Sequence, residues 1–157
     1  MAPHGLWFAE APVRTEDIDA LAVVCAASPV PIAAGEEWRT DWDLRHRLRC
    51  DISIVQPEMG HSGITNFMRI GQLAARNGID IIPHATIGAG IFLAASLQAS
   101  AALPRLICHE FQHSIFEPNR RLLEGDMDCA AGCYALPVGP GLGVRPSAEA
   151  LAMLTPI

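Results

Sequence analysis

The chain has 157 residues, the length of one ordinary domain, and half of them are apolar while 18% are charged. That balance excludes intrinsic disorder, which takes low hydropathy and high charge. A net charge of −6 without any Lys/Arg run excludes a nucleic-acid surface, since phosphate contacts carry most of that affinity.

The longest apolar stretch, residues 89–103, contains Ser96, Gln98 and Ser100. It falls short of the roughly 20 apolar residues of a bilayer span, so no membrane segment is expected. The first residues, MAPHGLWFAEAP, lack a basic region and do not read as a signal peptide. Five cysteines are an odd number and read as reduced thiols in a cytoplasmic protein. The positive mean hydropathy in so short a chain implies a well-buried domain or a part of something larger.

Short apolar runs alternate with helix-length segments. Residues 6–9 form the first run. A helix over 16–27 follows, with Thr15 as expected N-cap and Ile18, Leu21, Ala22 and Cys25 on its apolar face. Next come a run at 30–34, a polar helix near 41–49, a run at 52–55 and a periodic helix over 64–77 closed by Gly78. A run at 79–83, a helix at 90–102 and a run at 106–108 complete the series. This is the pattern of βα units on a parallel sheet, with strands covered on both faces. Residues 119–146, rich in Gly and Pro, read as irregular closing structure, and a short final helix starts at Ser147.

An acid or imidazole stands just past each apolar run: Glu10, Glu36, Glu58, His84 and Glu110, spaced 26, 22, 26 and 26 residues apart. That is one βα unit per step. In a parallel α/β barrel the strand C-termini open on one face, where active sites are built. A single acid at such a rim can simply cap the next helix; five in register point to a site. Converging carboxylates make a hard-oxygen cage suited to Mg²⁺. A His beside a carboxylate makes an acid/base dyad. Together they suit removal of a proton alpha to a carboxylate, with the metal stabilising the enediolate.

The stretches FAEAPV, PVPIAAGEEW, VQPEMGHSGIT, IIPHATIGAG and LPVGPGLGV resemble the C-terminal half of the enolase superfamily. The nearest subgroup is the mandelate racemase/muconate lactonizing enzyme-like one, with its acid-sugar dehydratases. The resemblance covers essentially the whole chain. It implies an α/β fold, a partial TIM-type (β/α) barrel in which residues 1–157 supply roughly strands four to eight, with 119–157 as closing segment and final helix. The first strands and the capping domain would lie outside this chain. On that match Glu10 and Glu36 are ligands of Mg²⁺, His84 is the base, and Glu110 hydrogen-bonds the substrate carboxylate or its enediolate. Glu58 falls where the family carries an Asp that orients the His, in a loop one residue shorter; Pro57 competes for that inward position. His61, in the same loop, is a candidate substrate contact.

The implied function is Mg²⁺-dependent dehydration, racemisation or epimerisation of a sugar acid or other small hydroxy acid. The family's third metal ligand and its Lys bases have no counterpart here, and the chain contains no Lys at all. The 157 residues alone are therefore expected to be inactive and to self-associate. The alternative is a non-catalytic barrel fragment or assembly module.

Other signals are weaker. His109-Glu110-Phe111-Gln112-His113 spells the HExxH of zinc hydrolases. Pro104 and Pro118 crowd the helix it needs, so it stands as a remote alternative. Gly88-Ala89-Gly90 suits close approach of backbone to a ligand at a helix start better than a dinucleotide loop. Trp7, Phe8 and Trp38 read as packing residues.

Overall fold

The computed structural model describes residues 4–85 and 90–154. Four short parallel strands, β1 (Ala9–Glu10), β2 (Ile32–Ala34), β3 (Ile54–Val55) and β4 (Asp80–Ile81), lie side by side in chain order. Leu106 bridges Ile81 in parallel and continues the series. The connections are α1 (Ile18–Ala27), α2 (Asp41–Arg47) and α3 (Met59–Arg76), and α4 (Gly90–Ser100) precedes the Leu106 segment. The strands are shorter than their apolar runs, but backbone pairing extends past them. His84 N–H donates to Pro57 O and Glu110 N–H to Pro83 O, both at 3.2 Å. The ends of successive units are thereby held level.

The apolar runs of β2, β3 and β4 are buried on both faces. Ile32, Ala34, Val55 and Ile81 pack with Leu21, Phe67 and Ile70 from the helices. Ala33, Ile54 and Ile82 meet Phe8 in a separate cluster. In α3 the buried positions Phe67, Ile70, Gly71, Leu73 and Ala74 follow the helical period, which lays that face on the sheet. Phe67 has no exposed surface. Phe67→Ala is expected to cost about 3–5 kcal/mol of unfolding free energy, read from the urea midpoint; a loss under 1 kcal/mol would mean that α3 does not anchor the core.

Several local expectations are corrected. Helix α1 is capped by Asp17, whose carboxylate accepts from Ala20 N–H at 3.0 Å. Thr15 is instead buried: its hydroxyl accepts from Trp38 Nε1 at 3.2 Å and its carbonyl from Arg47 Nε at 2.7 Å. Those bonds tie the approach of α1 to α2, and turning the hydroxyl to a cap would leave the Trp38 Nε1 donor unpaired. Trp38 packs as expected, whereas Trp7 is 57% exposed beside β1. Helix α3 begins five residues before the periodic pattern does. Its first turn is set off by Gly63 at φ 63°, a left-handed geometry that a side chain would strain.

The closing region contains more order than its composition suggests. Helix α5 (His113–Arg121) is followed by two antiparallel pairs, β5 (Leu123–Glu124) with β8 (Arg145–Pro146) and β6 (Asp128–Ala130) with β7 (Cys133–Ala135). Leu93, Leu97, Phe116 and Met127 form their common core. The last helix, α6 (Ala148–Ala152), is capped by the Ser147 hydroxyl, as expected. All five cysteines are free. Among the described residues no helix is long and apolar enough to cross a membrane.

Candidate functional site

The five strand-end residues converge at one end of the sheet, around His84. Its Nδ1 lies 3.1 Å from Glu58 Oε2, and its Nε2 lies 3.0 Å from Glu36 Oε2 and 3.7 Å from Glu110 Oε2. Glu10, Glu36 and His84 offer ligand atoms all within 4.8 Å of one another. The His84 side chain is 14% exposed, that of Glu58 6% and that of Glu36 40%. The group therefore grades from a buried carboxylate, through the imidazole, to carboxylates open to solvent.

The position of Glu58 follows from its local structure. It is the N-cap of α3, in extended backbone, and makes no side-chain capping bond. Its carbonyl accepts from Ser62 N–H at 3.1 Å and Ser62 Oγ at 2.6 Å, so the first turn of α3 fixes the residue while its carboxylate reaches His84. Pro57 is fully buried and leaves Glu58 to face the imidazole. His61, on the same turn, places Nδ1 3.0 Å from Glu36 O and 3.8 Å from Glu58 Oε2. Ionised Glu58 only accepts, so His84 Nδ1 carries a hydrogen toward it. Nε2 is then the atom turned toward Glu36, Glu110 and the open side.

A cavity of about 470 Å³ opens there, lined by Glu36, Glu37, Glu58, His61, His84 and Phe92. Glu37 and Phe92 carried no signal in the sequence, since Glu37 reads as a second acid beside Glu36 and Phe92 as a core residue of α4. Burial holds the Glu37 carboxyl above its ordinary range, and repulsion from Glu36 adds to this, against an opposing backbone hydrogen bond. Gly88 and Ala89 of the glycine-containing loop lie outside the described residues.

The HExxH reading is overturned. Helix α5 starts at His113, and His109 stands before it in non-helical backbone, so the two imidazoles do not share a helical turn. Both His109 nitrogens are also engaged, Nε2 with Ser96 Oγ at 2.8 Å and Nδ1 with Glu110 O at 2.9 Å.

The D-galactarolactone cycloisomerase of Agrobacterium fabrum is 33% identical over 155 residues, which take in 92% of this chain and 40% of that protein. The arabinonate dehydratase of Saccharolobus solfataricus is 32% identical over 143 residues, 88% of this chain and 37% of that enzyme. A crystal structure of a member of the enolase superfamily from Agrobacterium tumefaciens superposes with a TM-score of 0.95 at 71% identity, over 98% of this chain and 40% of that one. The mandelate racemase/muconate lactonizing enzyme from Jannaschia sp. CCS1 gives 0.85 at 28% identity, over 96% of this chain and 38% of that one. The chain thus spans about 40% of the length of the curated cycloisomerase. The family described as enolase C-terminal domain-like matches residues 1–150, and the chain belongs to it.

Proposed function

We propose that these residues form roughly strands four to eight of a TIM-type (β/α) barrel. In it they carry one side of a Mg²⁺-dependent site that removes the proton alpha to the carboxylate of a sugar acid or related hydroxy acid. Dehydration is the favoured outcome, with racemisation or epimerisation as the variant. The observation that carries this reading is His84, held at Nδ1 by buried Glu58 at 3.1 Å and turned at Nε2 toward a carboxylate cluster. Relatives bearing the names arabinonate dehydratase and D-galactonate dehydratase support the substrate class.

In this reading His84 Nε2 takes the alpha proton, and Glu58 orients the ring and offsets the charge it gains. Glu110 shares a proton with the substrate carboxylate, and His61 contacts a substrate hydroxyl. The donor set fits Mg²⁺: Glu10 and Glu36 supply hard carboxylate oxygens at the open end of the site. Bound there, the cation would stabilise the negative charge that proton removal leaves on the substrate carboxylate. The residues before Glu10 in a complete barrel would add its third carboxylate and an opposing base. Five free thiols suit a reducing compartment, and we place the protein in the cytoplasm.

The metal assignment is tested by titrating Mg²⁺, and Mn²⁺ as a paramagnetic substitute, into the chain by calorimetry and electron paramagnetic resonance. Glu36→Gln and Glu10→Gln should each weaken binding by about tenfold, the loss of one charge-assisted contact. Affinity in both variants equal to that of the unsubstituted chain would place the cation elsewhere.

A further inference from the structure

Glu110 lies in irregular backbone between the Leu106 bridge and α5, where no regular ladder fixes its conformation. It is nevertheless held at every polar atom of its backbone. Its N–H donates to Pro83 O at 3.2 Å. Its carbonyl oxygen accepts twice, from the Tyr134 hydroxyl at 3.1 Å and from His109 Nδ1 at 2.9 Å. A carbonyl can only accept, so Nδ1 of His109 carries the hydrogen. With the ring neutral, Nε2 is then the acceptor for the Ser96 hydroxyl at 2.8 Å, and Ser96 is fully buried in α4. Burial does hold His109 below its usual range. The Tyr134 ring packs against His109, Phe111 and Phe116 at centroid distances of 5.7–5.9 Å, which fixes the direction of its hydroxyl. The carboxylate so placed accepts from Ala85 N–H at 2.7 Å, one residue past His84.

We propose that His109 and Tyr134 are positioning residues: together they clamp the Glu110 carbonyl and thereby aim its carboxylate at Ala85 N–H and the His84 side of the site. The histidine of the HExxH string thus serves as a neutral hydrogen-bond donor. The β6–β7 hairpin, remote in sequence from the strand ends, becomes a support of the site. The inference rests on the reading of Glu110 as a site residue, but its test needs no catalysis.

The test is amide hydrogen exchange at Ala85, followed by NMR in the 157-residue chain, with Ile82 N–H, bonded to Val55 O at 3.1 Å, as internal reference. Glu110→Leu, which removes the acceptor, should accelerate exchange at Ala85, establishing that this amide reports the carboxylate. Tyr134→Phe and His109→Leu should each accelerate it on the order of tenfold, as expected for loss of one hydrogen bond, with Ile82 unchanged. His109→Asn, whose amide nitrogen can stand where Nδ1 stands, should restore most of the protection. Unchanged exchange at Ala85 in Glu110→Leu, or in both Tyr134→Phe and His109→Leu, overturns the proposal. So does acceleration of Ala85 and Ile82 by the same factor, which is loss of global stability rather than of aim. A positive exchange result alongside absent sugar-acid turnover would retire the functional reading and leave the clamp standing.

Discussion

Replacing His84 by Asn, in a protein carrying this chain within a complete barrel, is expected to lower kcat/KM for a sugar acid by about 10²–10⁴-fold, the usual contribution of a positioned acid/base group. Asn can still donate a hydrogen bond to Glu58 from its amide nitrogen, so the fold should be kept while the proton acceptor at Nε2 is gone. The loss should fall on kcat more than on KM, because proton removal occurs in the transition state and not in binding. Glu58→Gln should cost less. The Gln carbonyl can still accept from Nδ1 and hold the ring, but it cannot offset the positive charge the ring gains. Glu58 is the most buried carboxylate of the site, at 6% side-chain exposure, so its charge is the least screened by water. The check combines steady-state kinetics with exchange of the alpha hydrogen against deuterated water. Retained alpha exchange in His84→Asn would move the base to another residue.

The 157 residues alone are expected to associate, and to show no turnover of sugar acids in Mg²⁺. The first half follows from the sheet edge. Ala9 and Ala11 N–H donate to Pro31 and Ala33 O of the β2 segment, both at 2.9 Å. Alternation along a strand turns the backbone groups of Phe8 and Glu10 to the opposite side, where no strand pairs with β1 among the described residues. An open edge templates pairing with another chain. Leu6 at 44% and Trp7 at 57% exposure flank it and add apolar surface. The inward face of the sheet contributes less to this than a truncated barrel would suggest, since Ala33, Ile54 and Ile82 are all at most 4% exposed. The second half follows from the proposed donor set, which has Glu10 and Glu36 as its two carboxylates, and from the absence of Lys in the chain. Light scattering gives the mass and a sugar-acid panel the turnover. A monodisperse monomer would remove the edge argument, and turnover by that monomer would remove the need for further ligands.

The sequence by itself determined the series of parallel units. The apolar runs of β2, β3 and β4 are buried on both faces, and α3 presents one apolar face, so run length and the 3.6-residue period register locally along the chain. The common step between Glu10, Glu36, Glu58, His84 and Glu110 carried their gathering at one end, because one βα unit returns the chain to the same edge of the sheet. Only the tertiary structure decided between Pro57 and Glu58. The direction of a side chain just past a strand depends on where the pleat stops and the next helix begins, and α3 starts five residues before its apolar period does. The same holds for Thr15, whose capping pattern gave way to buried contacts with Trp38 and Arg47. It holds most of all for Ser96, His109 and Tyr134, which meet at Glu110 from α4, an irregular segment and a hairpin. No period links those residues; their meeting depends on how the closing hairpin packs over α4 and α5, which burial of Phe116 and Met127 settles only once the chain is folded.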